Sequence, residues 1–87
     1  MLETAKYVTL EDGRLEVPVI FPAHVRHARV AAAFNLPVAS AGFCTTSSLP
    51  SGELHVDAFG HSESLNIGCR QQDGALLREM LQPRRDL

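Results

Sequence analysis

With 87 residues the chain has room for one domain, 1–87, and one core, near the small end of what folds without covalent staples. Its 45% hydrophobic and 21% charged residues are those of a globular protein and argue against disorder. Ten acidic residues against eight Lys and Arg leave a net charge of −2, without the basic surplus that a nucleic-acid binder needs to neutralise phosphates.

Residues 5–10, AKYVTL, and 14–21, RLEVPVIF, are rich in strand formers. The Asp12-Gly13 step between them signals a hairpin, because glycine tolerates positive φ. Leu15, Val17, Val19 and Phe21 share one face of the second strand. Pro18 cannot donate to a ladder, which places that strand at or near an edge of its sheet.

Pro22 suits a first helical turn, so a helix is expected from Pro22 to Asn35. Asn35 serves as its left-handed cap, and Pro37 bars continuation. At ~100° per residue, Arg26, Arg29 and Ala33 face water. Val30, Ala31 and Phe34 form one flank of the opposite side, and Val25, Ala28 and Ala32 the other. This alanine-rich surface permits close approach to a sheet.

Residues 37–48, PVASAGFCTTSS, read as a strand, LPSG as a turn, and ELHVDAFG (53–60) as the return strand. In the latter Leu54, Val56 and Ala58 alternate with His55, Asp57 and Phe59. ESLNIGC, with Leu65, Ile67 and Cys69 on one face, is expected to add a further strand. A last helix, about Gln72 to Gln82, carries a stripe of Leu76, Leu77, Met80 and Leu81, with Asp73 at its positive end and Pro83 after it.

The order ββαβββα predicts an α+β two-layer sandwich: one mixed or antiparallel sheet of about five strands with two helices on one face. The other face is expected to be partly open, carrying Thr9, Thr45, His55 and Asp57.

GHSES, Gly60 to Ser64, is one residue away from the G-x-S-x-G elbow that exposes a nucleophilic serine. Ser64 replaces the second glycine, strand rather than helix is expected after it, and no histidine follows His61. A polar turn is the better reading. His24 and His27 stand three apart in the expected helix, and His55 and Asp57 share a strand face that His61 could join across a turn. A zinc site needs three or four ligands and only pairs are present, so no metal and no cofactor are expected.

Cys44 and Cys69 lack C-x-x-C spacing and are expected to be reduced and buried, although two strands could also set them side by side. Neither has a sequence neighbour placed to stabilise a thiolate. The glycines of EDGR, PSG and QDG are isolated turn residues, not a phosphate cradle. Arg26/Arg29 and Arg84-Arg85 are short basic runs that read as solvated surface.

No catalytic constellation emerges. The start MLETAKYV has no charged segment followed by an apolar stretch, so no signal peptide is expected, and no run nears the ~20 apolar residues of a membrane span. The expectation is a non-enzymatic cytoplasmic protein-interaction module with no membrane or nucleic-acid partner. It would act as a homodimer through its strands, since a small core gains from pairing. The alternative is a metal- or small-ligand-binding protein built on His24, His27, His55 and His61.

Overall fold

A computed structural model describes residues 4–82 of the chain. Strand β1 (Thr4–Asp12) turns at Gly13 and Arg14 into the antiparallel strand β2 (Leu15–Pro22), with Asp12 opposite Leu15. Gly13 has φ +65°, so glycine occupies the first of the two turn positions, as a tight hairpin requires. Helix α1 (His27–Phe34) leads to strand β3 (Val38–Ser48), which pairs antiparallel with β1 and carries an irregularity in register at Thr9/Leu10. Strand β4 (Leu54–Phe59) returns beside β3. Two short strands, β5 (His61–Ser62) and β6 (Ile67–Gly68), precede helix α2 (Asp73–Leu81).

The fold is α+β as expected, with a four-stranded antiparallel sheet in the order β2-β1-β3-β4 and a separate two-stranded sheet, β5-β6. The edge position of β2 agrees with Pro18. The ESLNIGC segment does not form a full strand. Ser62 Oγ accepts the Leu65 N–H at 3.1 Å and Asn66 takes φ +54°, which together turn the chain after two residues of pairing.

The first helix starts later than its proline signal implies. Pro22 ends β2, paired with Ala5, and the helix begins five residues on with Arg26 as N-cap. Proline's fixed φ fits an extended strand end as well as a helical first turn, so Pro22 alone does not choose between them. The C-terminal signal holds: Asn35 is left-handed, and its N–H donates to the Ala31 carbonyl at 3.1 Å.

The helices also take different faces of the sheet instead of sharing one. Strand β1 is the reason, because Tyr7, Val8, Thr9 and Leu10 in succession are all 0% exposed. Successive strand residues point to opposite faces, so four consecutive buried residues need cover on both sides. Tyr7, Cys44, Val56 and Leu77 of α2 form the core on one side. Val8, Leu10, Phe21 and Ala41 form the other, against Val25 and Val30 from the α1 segment and Leu65 and Ile67 from the β5-β6 segment. Thr9, expected on an open face, lies in the α2 side with its Oγ1 2.5 Å from Ser40 Oγ. His55 and Asp57 are exposed and Thr45 is half-buried.

Of the stripe on α2 only Leu77 is fully buried, while Met80 and Leu81 are exposed. Phe34 of α1 is exposed too, whereas Arg26, Arg29 and Ala33 face water as expected. Pro83, Arg84 and Arg85 lie outside the described residues.

Candidate functional site

Between the start of α1, the sheet and the β4–β5 junction lies a cleft of about 470 Å³. Register explains its floor. Phe43 on β3 stands opposite Lys6 on β1 and Phe59 on β4, so all three share the α1 face of the sheet. The Phe43 and Phe59 rings stack, with centroids 6.0 Å apart and planes 21° from parallel. Lys6 Nζ donates to the Val25 carbonyl at 3.0 Å and sits 5.9 Å from the Phe43 centroid, within cation–π range.

Two glycines make the floor possible. Gly60 has φ +75°, and a Cβ there would stand 3.0 Å from the Phe43 ring. A Cβ on Gly42 would stand 2.6 Å from the Phe59 carbonyl oxygen. The absence of both lets the β4–β5 chain close over β3.

His27 forms part of the wall. It is buried, its Nε2 lies 2.8 Å from the Gly42 carbonyl oxygen, and it meets the rings of Phe21 and Phe43 edge-on at 5.4 and 5.8 Å. A carbonyl can only accept, so Nε2 carries the proton. His61 and Arg26 complete a rim whose fixed charges are Lys6, Arg26 and one opposing carboxylate, Glu63. Arg26 has no ion-pair partner among the described residues. No acidic residue occupies the first turn of α1, so the positive end of that helix is not neutralised locally. Ser64, also in the lining, accepts the Ala28 N–H through Oγ at 3.3 Å.

The candidate ligands seen in the sequence are thereby sorted. His24 is exposed in the turn before α1 and His27 is buried, because the helix does not start until His27. His55 and Asp57 do meet, Nε2 to Oδ1 at 3.1 Å, on the exposed surface of β4. His61 lies in the cleft lining together with His27, and His55 does not. Among the described residues no three His, Cys, Asp or Glu side chains converge to hold a metal ion. Ser62 is 0% exposed, on a strand, its Oγ accepting the Leu65 N–H and lying 3.3 Å from Ser64 Oγ. Both cysteines are free thiols; Cys44 is buried in the Tyr7 core as expected, where burial pushes its pKa up, whereas Cys69 is only half-buried against that core.

A second polar assembly lies across the sheet, on the α2 side. Tyr7 donates its phenol to Asp73 Oδ2 at 2.6 Å, and the Arg70 N–H and Nε donate to the two oxygens of the same carboxylate at 3.0 Å each. Arg70 then forks onto Glu16, at 2.9 and 2.7 Å. Burial alone would raise the pKa of Asp73, but the hydrogen bonds from Tyr7, Arg70 and Ser40 outweigh it and hold the carboxyl below its usual range. Tyr7 is displaced the other way, first by burial and then by the Asp73 carboxylate beside it. The Arg70 hydrogen bonds lower Glu16. This network ties β1, β2 and α2 together, and each carboxylate in it is already matched by donors.

No reading of the sequence pointed to Lys6, Phe43 and Phe59 as one site. The available signal was slight: two phenylalanines on neighbouring strands, each next to a turn or a glycine. No known protein family, curated protein or solved structure matches this chain.

Proposed function

We propose that this protein is a binding module whose cleft receives a small anionic ligand. The observation that carries the proposal is the convergence of the two fixed cations Lys6 and Arg26 around stacked phenyl rings, against the single carboxylate of Glu63. Two fixed cations, Lys6 and Arg26, face the one carboxylate of Glu63, so the rim carries a surplus of one positive charge; salt weakens the exposed Arg26 contribution more than that of half-buried Lys6. The cleft volume falls within the range of small-molecule sites. Binding rather than catalysis is supported by the engagement of Ser62 Oγ with Leu65 and the enclosure of the Cys44 thiol in the core.

The test is a titration of the protein's amide spectrum with inorganic phosphate at low salt. Shifts should gather at Lys6, Arg26, His27 and Gly60–Ser64, and Arg26→Glu should abolish them. Absence of shifts up to ~10 mM phosphate would falsify the proposal.

A second reading concerns association. Strand β2 is an outer strand, and Leu15 on it is 70% exposed, with Val17 exposed on the same face. Pro18 and Glu16 blunt hydrogen-bonded extension of this edge, so a second copy would instead cover the exposed Leu15 and Val17 side chains on their shared face. We propose a two-fold homodimer formed through this strand, in a reducing compartment such as the cytoplasm, where two unpaired thiols persist.

A further inference from the structure

Resting on the anion-binding reading of the cleft, we infer that the ligand is an aromatic anion. Its flat ring stacks on the outer face of Phe59, and its acidic group is held by Arg26 and Lys6. Phe43 has little of its surface left to offer: Phe59 covers a face, His27 meets it edge-on, Lys6 stands over it, and Gly60 crosses it so closely that a Cβ there would stand 3.0 Å from the ring. Phe59 differs. One face rests on Phe43 and the residue is 44% exposed, so the side chain presents an apolar, π-bearing surface to the cleft.

The electrostatics of that surface select the ligand. The face of a phenyl ring is the negative region of its quadrupole, so a bare anion seated over Phe59 is repelled. The attraction lies at the rim, where Lys6, Arg26 and the start of α1 stand. A ligand that is only an anion uses the rim and leaves Phe59 in water. One that is only a ring uses Phe59 and leaves the cations unmatched. A planar ring joined to an acidic group satisfies both, and stacked pairs of this kind gain beyond their apolar area.

Three probes separate these cases in the same amide titration: phenyl phosphate, cyclohexyl phosphate and inorganic phosphate. Phenyl phosphate should bind about tenfold more tightly than inorganic phosphate, and several-fold more tightly than cyclohexyl phosphate. The advantage should disappear in Phe59→Leu and persist in Phe59→Tyr, both chosen because Phe59 is at the surface and the amide spectrum reports whether the fold survives. Equal binding of phenyl and inorganic phosphate overturns the aromatic inference and leaves the anion site standing. Equal binding of phenyl and cyclohexyl phosphate overturns it as well, since bulk alone then suffices. If none of the three shifts the cleft amides, the anion reading fails and this inference fails with it.

Discussion

Tyr7 and Asp73, at the centre of β1 and the first residue of α2, are joined by a 2.6 Å hydrogen bond in which both side chains are fully buried. The carboxylate that receives it also takes two donors from Arg70, so the helix is anchored to the middle of the sheet by charge-assisted bonds. Removing one member should therefore cost more than an average surface bond. Tyr7→Phe is expected to lose about 1.5–3 kcal/mol, the usual worth of a hydrogen bond to a charged group. Asp73→Asn removes the charge on which Arg70 rests and should cost more, toward the low end of ~3–5 kcal/mol because Arg70 keeps Glu16. Urea denaturation gives both values, and an Asp73→Asn variant as stable as wild type would contradict the network's role.

The same pair sets a pH dependence with opposite signs at its two ends. The folded protein holds the Tyr7 proton more tightly than the unfolded chain, whose tyrosine titrates near ~10. Its contribution is thus complete below that value and is lost as pH rises above it. Asp73 is lowered in the fold, so its contribution is present above the unfolded carboxylate value of ~3.9 and is lost as pH falls through the lowered folded pKa. Tyr7 is the only tyrosine, which makes the alkaline end directly visible. Phenolate absorbance should stay flat through pH ~10 in the folded protein and appear only with unfolding, whereas in urea it should rise normally. A normal titration in the folded state would show that the phenol is not enclosed.

Gly42 and Gly13 should respond differently to the same substitution. A Cβ at Gly42 meets the Phe59 carbonyl oxygen, a backbone atom, at 2.6 Å, so Gly42→Ala must push β4 away from β3 and is expected to cost ~3 kcal/mol. At Gly13 the space is open and only the positive φ is strained, so Gly13→Ala should cost ~1 kcal/mol. The Phe59 amide resonance should move in the first variant and not in the second. Equal losses would mean that the close approach at Gly42 is relieved without effort.

Association through β2 is checked by light scattering. The expected species at tens of micromolar protein is twice the 9.5 kDa chain, and Val17→Lys or Leu15→Lys should return it to the monomer. Arg26→Glu should leave the dimer intact, since Arg26 lies in the cleft lining and not on that strand. A wild-type protein that scatters as a 9.5 kDa monomer refutes the dimer.

The features legible in the chain were those that one or two neighbouring residues decide. Gly13 sets the hairpin, Pro18 marks the edge strand, and Asn35 caps α1 through its own backbone conformation. Each depends on local φ and ψ or on a missing donor, which sequence states outright. Where two local outcomes were equally compatible, as at Pro22, the ladder partner Ala5 decided, and that partner is distant in the chain. The burial of β1 on both faces was foreshadowed by the adjacent Tyr7 and Val8, but only the packing of α2 on one side and α1 on the other made it a division of the core. The cleft was least legible. Lys6, Phe43 and Phe59 meet because antiparallel register sets them on one face of three strands, and a shift of one residue in either pairing would send one of them to the opposite side. Composition and local pattern specify which residues prefer strand or helix; the register that brings remote residues into one site is chosen by the burial of the whole sheet.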